Sequence, residues 1–249
     1  MNCLEIKGLC KNYPSFRLDN VTFSVGEGRI MGFIGRNGAG KTTTLKSILN
    51  IVHPDSGEIL FFGKPLSSHE KEIKQIIGYA GGAVDYYKRK KIKDIARITK
   101  SFYRSWDDSE YRKYSDVFSL DENKTPSQLS EGMKVKLNLA FAMSHGSRLL
   151  ILDEPTSGLD PISREELLET FLYLKSEGVS ILFSTHITSD LEKCADDITY
   201  IAGGRLIASE KLGAFLERGR AEGTGNTLEE IMVSHEKENI YEKLAQKRN

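Results

Sequence analysis

Gly35-Arg36-Asn37-Gly38-Ala39-Gly40-Lys41-Thr42-Thr43 follows the apolar run Ile30-Met31-Gly32-Phe33-Ile34 and precedes Leu45, Ile48 and Leu49, which recur at helical spacing. Strand, glycine loop, helix is the context a phosphate-binding P-loop needs. The glycines let consecutive backbone N–H groups curl around a polyphosphate, where a Cβ would collide with it. The new helix turns its positive end toward the same anion. Lys41 supplies a point charge for the outer phosphates, and the Thr42 hydroxyl a ligand for Mg²⁺. The stretch therefore predicts a nucleoside triphosphate as ligand.

The chain has 249 residues, 39% hydrophobic and 28% charged, as expected for one large globular domain or a domain carrying an insertion. Lys+Arg and Asp+Glu are both 35, so the net charge is zero and no bulk attraction to nucleic acid or membrane is indicated. No run of about 18 apolar residues predicts a spanning helix, and Met1-Asn2-Cys3-Leu4-Glu5 does not read as a signal peptide. Cys3, Cys10 and Cys194 lack metal-ligand spacing and read as reduced packing thiols.

Leu4-Glu5-Ile6 and Val21-Thr22-Phe23-Ser24-Val25 alternate apolar and polar, Gly26-Glu27-Gly28 turns toward the P-loop strand, and Gly57 to Phe62 is another strand. These pieces predict a small antiparallel sheet beside a parallel one. Tyr13, in the loop after the first strand, is either a surface side chain or a platform for a base. From Ile92 to Phe118 the pattern turns helical: Ile92, Ile95, Ala96, Thr99, Phe102, Tyr103 and Trp106 share one face, Asp107-Asp108-Ser109 breaks it, and Tyr111 to Phe118 continue. This reads as a helical insertion with a small aromatic core of its own. Lys88-Arg89-Lys90-Lys91-Ile92-Lys93, at its entrance, is a solvated charge run or a contact for an acidic partner or lipid headgroups.

Ser130 in Leu129-Ser130-Glu131-Gly132-Met133 is placed as an N-cap, or as part of a second anion site at a helix start. Leu149-Leu150-Ile151-Leu152-Asp153-Glu154 is a buried parallel strand ending in two acids, at the edge where such sheets bind ligands. Adjacent carboxylates there call for a cation or a proton-transfer role. Ser157-Gly158-Leu159-Asp160-Pro161 is a turn, with Ser163-Arg164-Glu165-Glu166 as the capping box of the next helix. Val179 to Phe183 is another strand, ending at Ser184-Thr185-His186; Ile198 to Ala208 reads as a hairpin, and Thr227-Leu228-Glu229-Glu230 opens a charged terminal helix of unassigned purpose.

Taken in order, the P-loop, Leu-Ser-Glu-Gly-Met, apolar strand plus Asp-Glu, Ser-Gly-Leu-Asp and Ser-Thr-His resemble the ATP-binding cassette (ABC) ATPases from about Leu4 to Ala208. Within that family the signature and the aromatic insertion are similar to ATPase subunits of bacterial antibiotic and peptide exporters. The Asn-Lys-x-Asp motif of GTPases is missing, since Asn123-Lys124 runs into Thr125-Pro126. The resemblance implies an α/β P-loop core with a parallel sheet, an antiparallel β subdomain and a helical insertion at about 86–145. Residues 1–212 would form the cassette and 213–249 a C-terminal helical extension.

The resemblance also implies roles. Gly35, Arg36, Asn37, Gly38, Ala39, Gly40, Lys41, Thr42 and Thr43 cradle the phosphates of ATP; Thr42, and Asp153 through water, hold Mg²⁺. Glu154 is the general base, His186 the switch histidine near the γ-phosphate, and Tyr13 stacks on adenine. Ser130 and Gly132 would touch the γ-phosphate of an opposite subunit, with Asp160 at the shared surface, so that ATP joins two cassettes in a homodimer or heterodimer. The expected partners are separately encoded transmembrane permease subunits at the inner face of the cell membrane, and no nucleic acid. The alternatives are a soluble cassette ATPase acting on ribosomes or DNA, and a weakly hydrolysing nucleotide-binding regulator.

Two positions depart from the family. Gly82 stands where a Mg²⁺-touching Gln is usual, and Asp85 is the candidate substitute; Glu131 stands where Gly is common and is expected to point away from the nucleotide.

Overall fold

The computed structural model describes residues 1–81 and 87–236. In chain order, β1 (Asn2–Tyr13) and β2 (Phe16–Gly26) form a hairpin closed by Pro14-Ser15, and β3 (Ile30–Ile34) leads through the glycine loop into α1 (Lys41–Ile48). Then follow β4 (Ser56–Phe61), the short β5 (Lys64–Pro65), α2 (Leu66–Ile73) and β6 (Ile77–Gly81). The middle of the chain is helical: α3 (Ile92–Lys100), α4 (Asp108–Val117) and, after a 3₁₀ turn, α5 (Glu131–Ser144). The remainder runs β7 (Leu149–Asp153), α6 (Pro161–Ser176), β8 (Ser180–Thr185), α7 (Thr188–Cys194), β9 (Asp197–Ala202), β10 (Arg205–Lys211), α8 (Leu212–Ala221) and α9 (Leu228–Glu236).

Two sheets result: a four-stranded antiparallel one ordered β2-β1-β4-β5, and a six-stranded one ordered β10-β9-β3-β8-β7-β6. In the larger sheet β9, β3, β8, β7 and β6 are parallel and β10 pairs antiparallel with β9. Its inner strands β3, β8 and β7 are buried almost without interruption because both faces are covered, whereas the edge strand β10 is polar and largely exposed. Leu149 and Ile151 face one apolar cluster with Phe33, Leu45 and the antiparallel sheet; Leu150 and Leu152 face another with Phe141, Phe171 and Phe183.

The helical middle differs from its sequence reading in two ways. Helix α3 stops at Lys100, short of Trp106, because the Gln75 amide takes the chain beyond it: Nε2 donates to the Phe102 carbonyl at 2.9 Å and Oε1 accepts from Arg104 N–H at 3.0 Å. Phe102 consequently projects into solvent. The aromatic side chains also lack a separate core. Trp106 lies 5.5 Å from Tyr111, which is 5.9 Å from Phe141 of α5, and Ile92, Ile95 and Tyr114 belong to the same cluster as Leu150 and Phe183. Helix α5, packed on both α4 and β6, carries that continuity.

The start of α6 is also corrected. Asp160, not Ser163, is the N-cap: its carboxylate accepts from the Ile162 and Ser163 N–H groups, each at 3.0 Å, and from the Ser163 hydroxyl at 2.6 Å. Pro161 fits the first helical position, where no N–H is needed. The β9–β10 hairpin turns on Gly203-Gly204, with φ of 53° and 78°, the left-handed pair of a type I′ turn. Gly204 accepts from Asp19 N–H at 2.8 Å and donates to the Ala39 carbonyl at 3.0 Å. The turn thereby ties the antiparallel sheet to the glycine loop.

Candidate functional site

The glycine loop lies at the carboxyl end of β3, between β8 and β9. Gly38 and Gly40 have φ of 83° and 113°, where an L side chain is strained. A Cβ at Gly35 would stand 2.3 Å from the Ile201 carbonyl oxygen, so the loop sits directly on β9. Gly40 is the N-cap of α1 and offers no capping side chain, and no acid stands in the first turn. The N–H groups of that turn are left to an external anion.

Lys41 is 5% exposed, and its ammonium donates to the Gly35 carbonyl at 2.7 Å. It also stands 3.3 Å from Glu154 Oε1, while Glu154 Oε2 is 2.8 Å from His186 Nδ1. Glu154 has φ of 53°, uncommon for a residue with a side chain and frequent at functional sites. The Ser184 carbonyl and hydroxyl hold its N–H at 3.1 and 3.0 Å, which fixes that turn. The reversal carries the Glu154 side chain from the end of β7 toward the loop.

Asp153 accepts from the Ser184 hydroxyl at 2.6 Å and from the Thr42 hydroxyl at 3.4 Å. A hydroxyl and a carboxylate together are hard oxygen donors of the kind Mg²⁺ takes while keeping waters and substrate phosphates for the rest of its shell. The donor set fits that ion. Ser184, fully buried, touches both acids and was missed from sequence, although it opens the Ser184-Thr185-His186 run. Its place at the carboxyl end of β8, two residues before His186, was the available signal.

A cleft of about 590 Å³ opens over these groups and is lined by Arg36, Asn37, Gly38, Gly40, Lys41, Thr42, Thr43, Glu154 and His186. Gly35 and Ala39 complete the loop beneath it. Tyr13 is not among the lining residues; Phe16 is, with Ser15 and Ser157. The two-residue turn puts Phe16 against the loop, 3.0 Å from where a Gly40 Cβ would be, and Tyr13 outside it with ring centroids 6.4 Å apart. Phe16 is thus the aromatic side chain that lines the cleft against the glycine loop, and the residue sequence reasoning overlooked.

Ser130 and Gly132 lie elsewhere in the chain's own fold, at the start of α5. The Ser130 hydroxyl accepts from Met133 N–H at 3.3 Å, so its capping role is filled. Glu131 turns to Lys134, 2.6 Å away, and both line a smaller cavity of about 240 Å³ with Asp153, Glu154 and Asn138. Asp160 is exposed at the neighbouring helix start, and the Ser163 hydroxyl and backbone N–H groups hold its carboxyl below the usual range. Gly82 and Asp85 lie outside the described residues.

A phosphate loop opening a helix, with an acid pair and a histidine ending the adjacent parallel strands, defines a P-loop nucleoside triphosphatase. Comparison with known proteins narrows the class. The ABC transporter family model matches residues 18–157. The chain is 33% identical over 221 residues to the bacitracin transport ATP-binding protein BcrA of Bacillus licheniformis, covering 87% of this chain and 72% of BcrA. It is 34% identical over 213 residues to the lantibiotic transport ATP-binding protein SrtF of Streptococcus pyogenes, covering 84% of this chain and 90% of SrtF. Among solved structures, an ATP-binding subunit of an ABC transporter superposes with a TM-score of 0.82 at 30% identity, covering 93% of this chain and 98% of that one. The chain belongs to the ABC transporter family. It is an ATP-binding, ATP-hydrolysing subunit, with the cassette fold its motifs imply.

Proposed function

We propose that this ATPase works as a pair of cassettes, each holding ATP and Mg²⁺ on its own glycine loop against Ser130 and Gly132 of the other. The observation that carries the reading is Glu154, held between Lys41 and His186 at the mouth of the loop. The Glu154 carboxylate is the counter-ion of the buried Lys41, 3.3 Å away. A triphosphate supplies that counter-charge instead, which frees Glu154 to orient and deprotonate the attacking water, with His186 positioned at the γ-phosphate end. Thr42 and Asp153 would hold Mg²⁺, which when bound would supply positive charge to the phosphates. Phe16 offers the base a stacking face from within the cleft, and Tyr13 extends that face from outside.

The transport names of the relatives support a motor subunit over ribosome or DNA association. No helix among the described residues is long and apolar enough to cross a membrane. The transport names of the relatives are what support separately encoded permease subunits as the pathway, with the cassette at the inner membrane face, for export of a peptide, antibiotic or lipid-like molecule. Glu154→Gln protein with ATP and magnesium is expected to elute as a stable pair in light-scattering chromatography, and Ser130→Arg in that background as single copies. Saturating ATP with no pairing at any concentration would overturn the two-cassette site. Co-purification of the chain with polytopic membrane proteins tests the permease partnership.

A further inference from the structure

Helix α9 is docked on the cassette, and it delivers a carboxylate to the phosphate loop. Leu228 and Ile231 are buried in the larger apolar cluster, Leu228 N–H donates to Glu192 of α7 at 2.6 Å, and Thr227 caps the helix through Glu230 N–H at 3.2 Å. At the other end of α9, Tyr200 of β9 reads two consecutive residues. Its ring meets His235 edge-on with centroids 6.2 Å apart, and its hydroxyl donates to Glu236 Oε1 at 2.5 Å. The second oxygen, Glu236 Oε2, lies 3.7 Å from Arg36 Nε. Arg36 belongs to the glycine loop and lines the nucleotide cleft.

The surroundings of the two partners are unequal. The Glu236 side chain is 17% exposed and the Arg36 side chain 66%. A carboxylate withdrawn from water needs its partners, while an exposed guanidinium on a flexible stem can exchange one anion for another. The loop has little freedom to adapt in its place, since Gly35 rests on Ile201, the residue after Tyr200.

We propose that Glu236 is a latch that competes with the triphosphate for Arg36, so that filling the cleft loosens the end of α9 and docking of α9 weakens nucleotide binding. The linkage is reciprocal: whatever factor the latch takes from ATP affinity, ATP takes from the docking of α9. An exposed ion pair sets the scale at up to about fivefold, ~1 kcal/mol. The proposal rests on the cleft being the ATP site.

The test uses the whole chain and a fluorescent ATP analogue, mant-ATP, with magnesium. Glu236→Gln keeps an oxygen for the Tyr200 hydroxyl and removes the charge. It is expected to tighten mant-ATP binding two- to fivefold, and to leave binding unchanged when Arg36 is already alanine. No change, weaker binding, or the same tightening in the Arg36→Ala background would overturn the latch; the last would mean simple repulsion between Glu236 and the phosphates. A nucleotide-free arm separates this from the reading of the cleft. Arg36→Ala alone should speed amide hydrogen exchange across residues 228–236, and unchanged exchange would overturn the latch even if mant-ATP bound nowhere.

Discussion

The starts of α1 and α5 are both helix N-termini at candidate phosphate sites, yet they are finished in opposite ways. Helix α1 begins after Gly40 with no capping side chain and no acid in its first turn, and its Lys41 is buried beneath it. Helix α5 begins at Ser130, whose hydroxyl already accepts from Met133 N–H, and Glu131 in its first turn is neutralised by Lys134. A bare end has unmet donors and a fixed positive field, so it demands an anion within its own chain's cleft. A capped end is self-sufficient. On the proposed two-cassette reading, that end would meet a phosphate only when a second copy brings one, and one chain would bind ATP alone yet need two copies to enclose it.

Changes at the two ends should therefore separate. The largest effect is expected from Glu154→Gln, which leaves the bare end of α1 intact but removes the base beside it. ATP turnover should fall 10²-fold or more while nucleotide binding persists; turnover within a few-fold of wild type would remove Glu154 from that role. Next comes the far end of α5, where His145 is 2% exposed, stacked on Tyr103 and bonded through Nδ1 to the Gln75 carbonyl. Burial pushes its pKa down to about 4. The unfolded chain, titrating near 6.5, takes up the proton first, so stability is full above about pH 6.5 and is lost as pH falls toward 4, by up to about 3 kcal/mol. Denaturant melts of wild type and His145→Phe across that window should show the slope in the first and a flatter line in the second.

Gly40→Ala is expected to cost less, about 1–3 kcal/mol of strain at a left-handed position, with its Cβ pressed on Phe16. Mant-ATP affinity should drop about tenfold or more because the bare end itself is deformed. Ser130→Ala is the mildest in a single copy, about 1 kcal/mol of stability for a lost cap. It should leave mant-ATP binding by the lone chain unchanged and weaken only ATP-dependent pairing. If Ser130→Ala weakened binding in the single copy as Gly40→Ala does, the contrast between the two ends would collapse.

Much of this was legible in the chain. The P-loop, the Asp153-Glu154 pair and His186 lie within short segments whose local pattern fixes their conformation: a strand, a glycine turn, a helix start. The two sheets could be expected from alternation in the first strands and unbroken apolar runs in the later ones. Reading failed where a side chain distant in sequence decided the outcome. Gln75 ends α3 early, α5 fuses the aromatic insertion to the main core, and Asp160 takes the capping role assigned to Ser163.

The sequence alone determined the phosphate loop, the acid pair and the family, because backbone freedom at glycine and the spacing of charged groups are local properties. Only the tertiary structure placed Ser184 between Asp153 and Glu154, Phe16 rather than Tyr13 in the cleft, and Glu236 beside Arg36. Those contacts join residues from separate strands and helices. What brings them together is the burial of apolar faces on the two sides of one sheet, a cause that no short window of the chain contains.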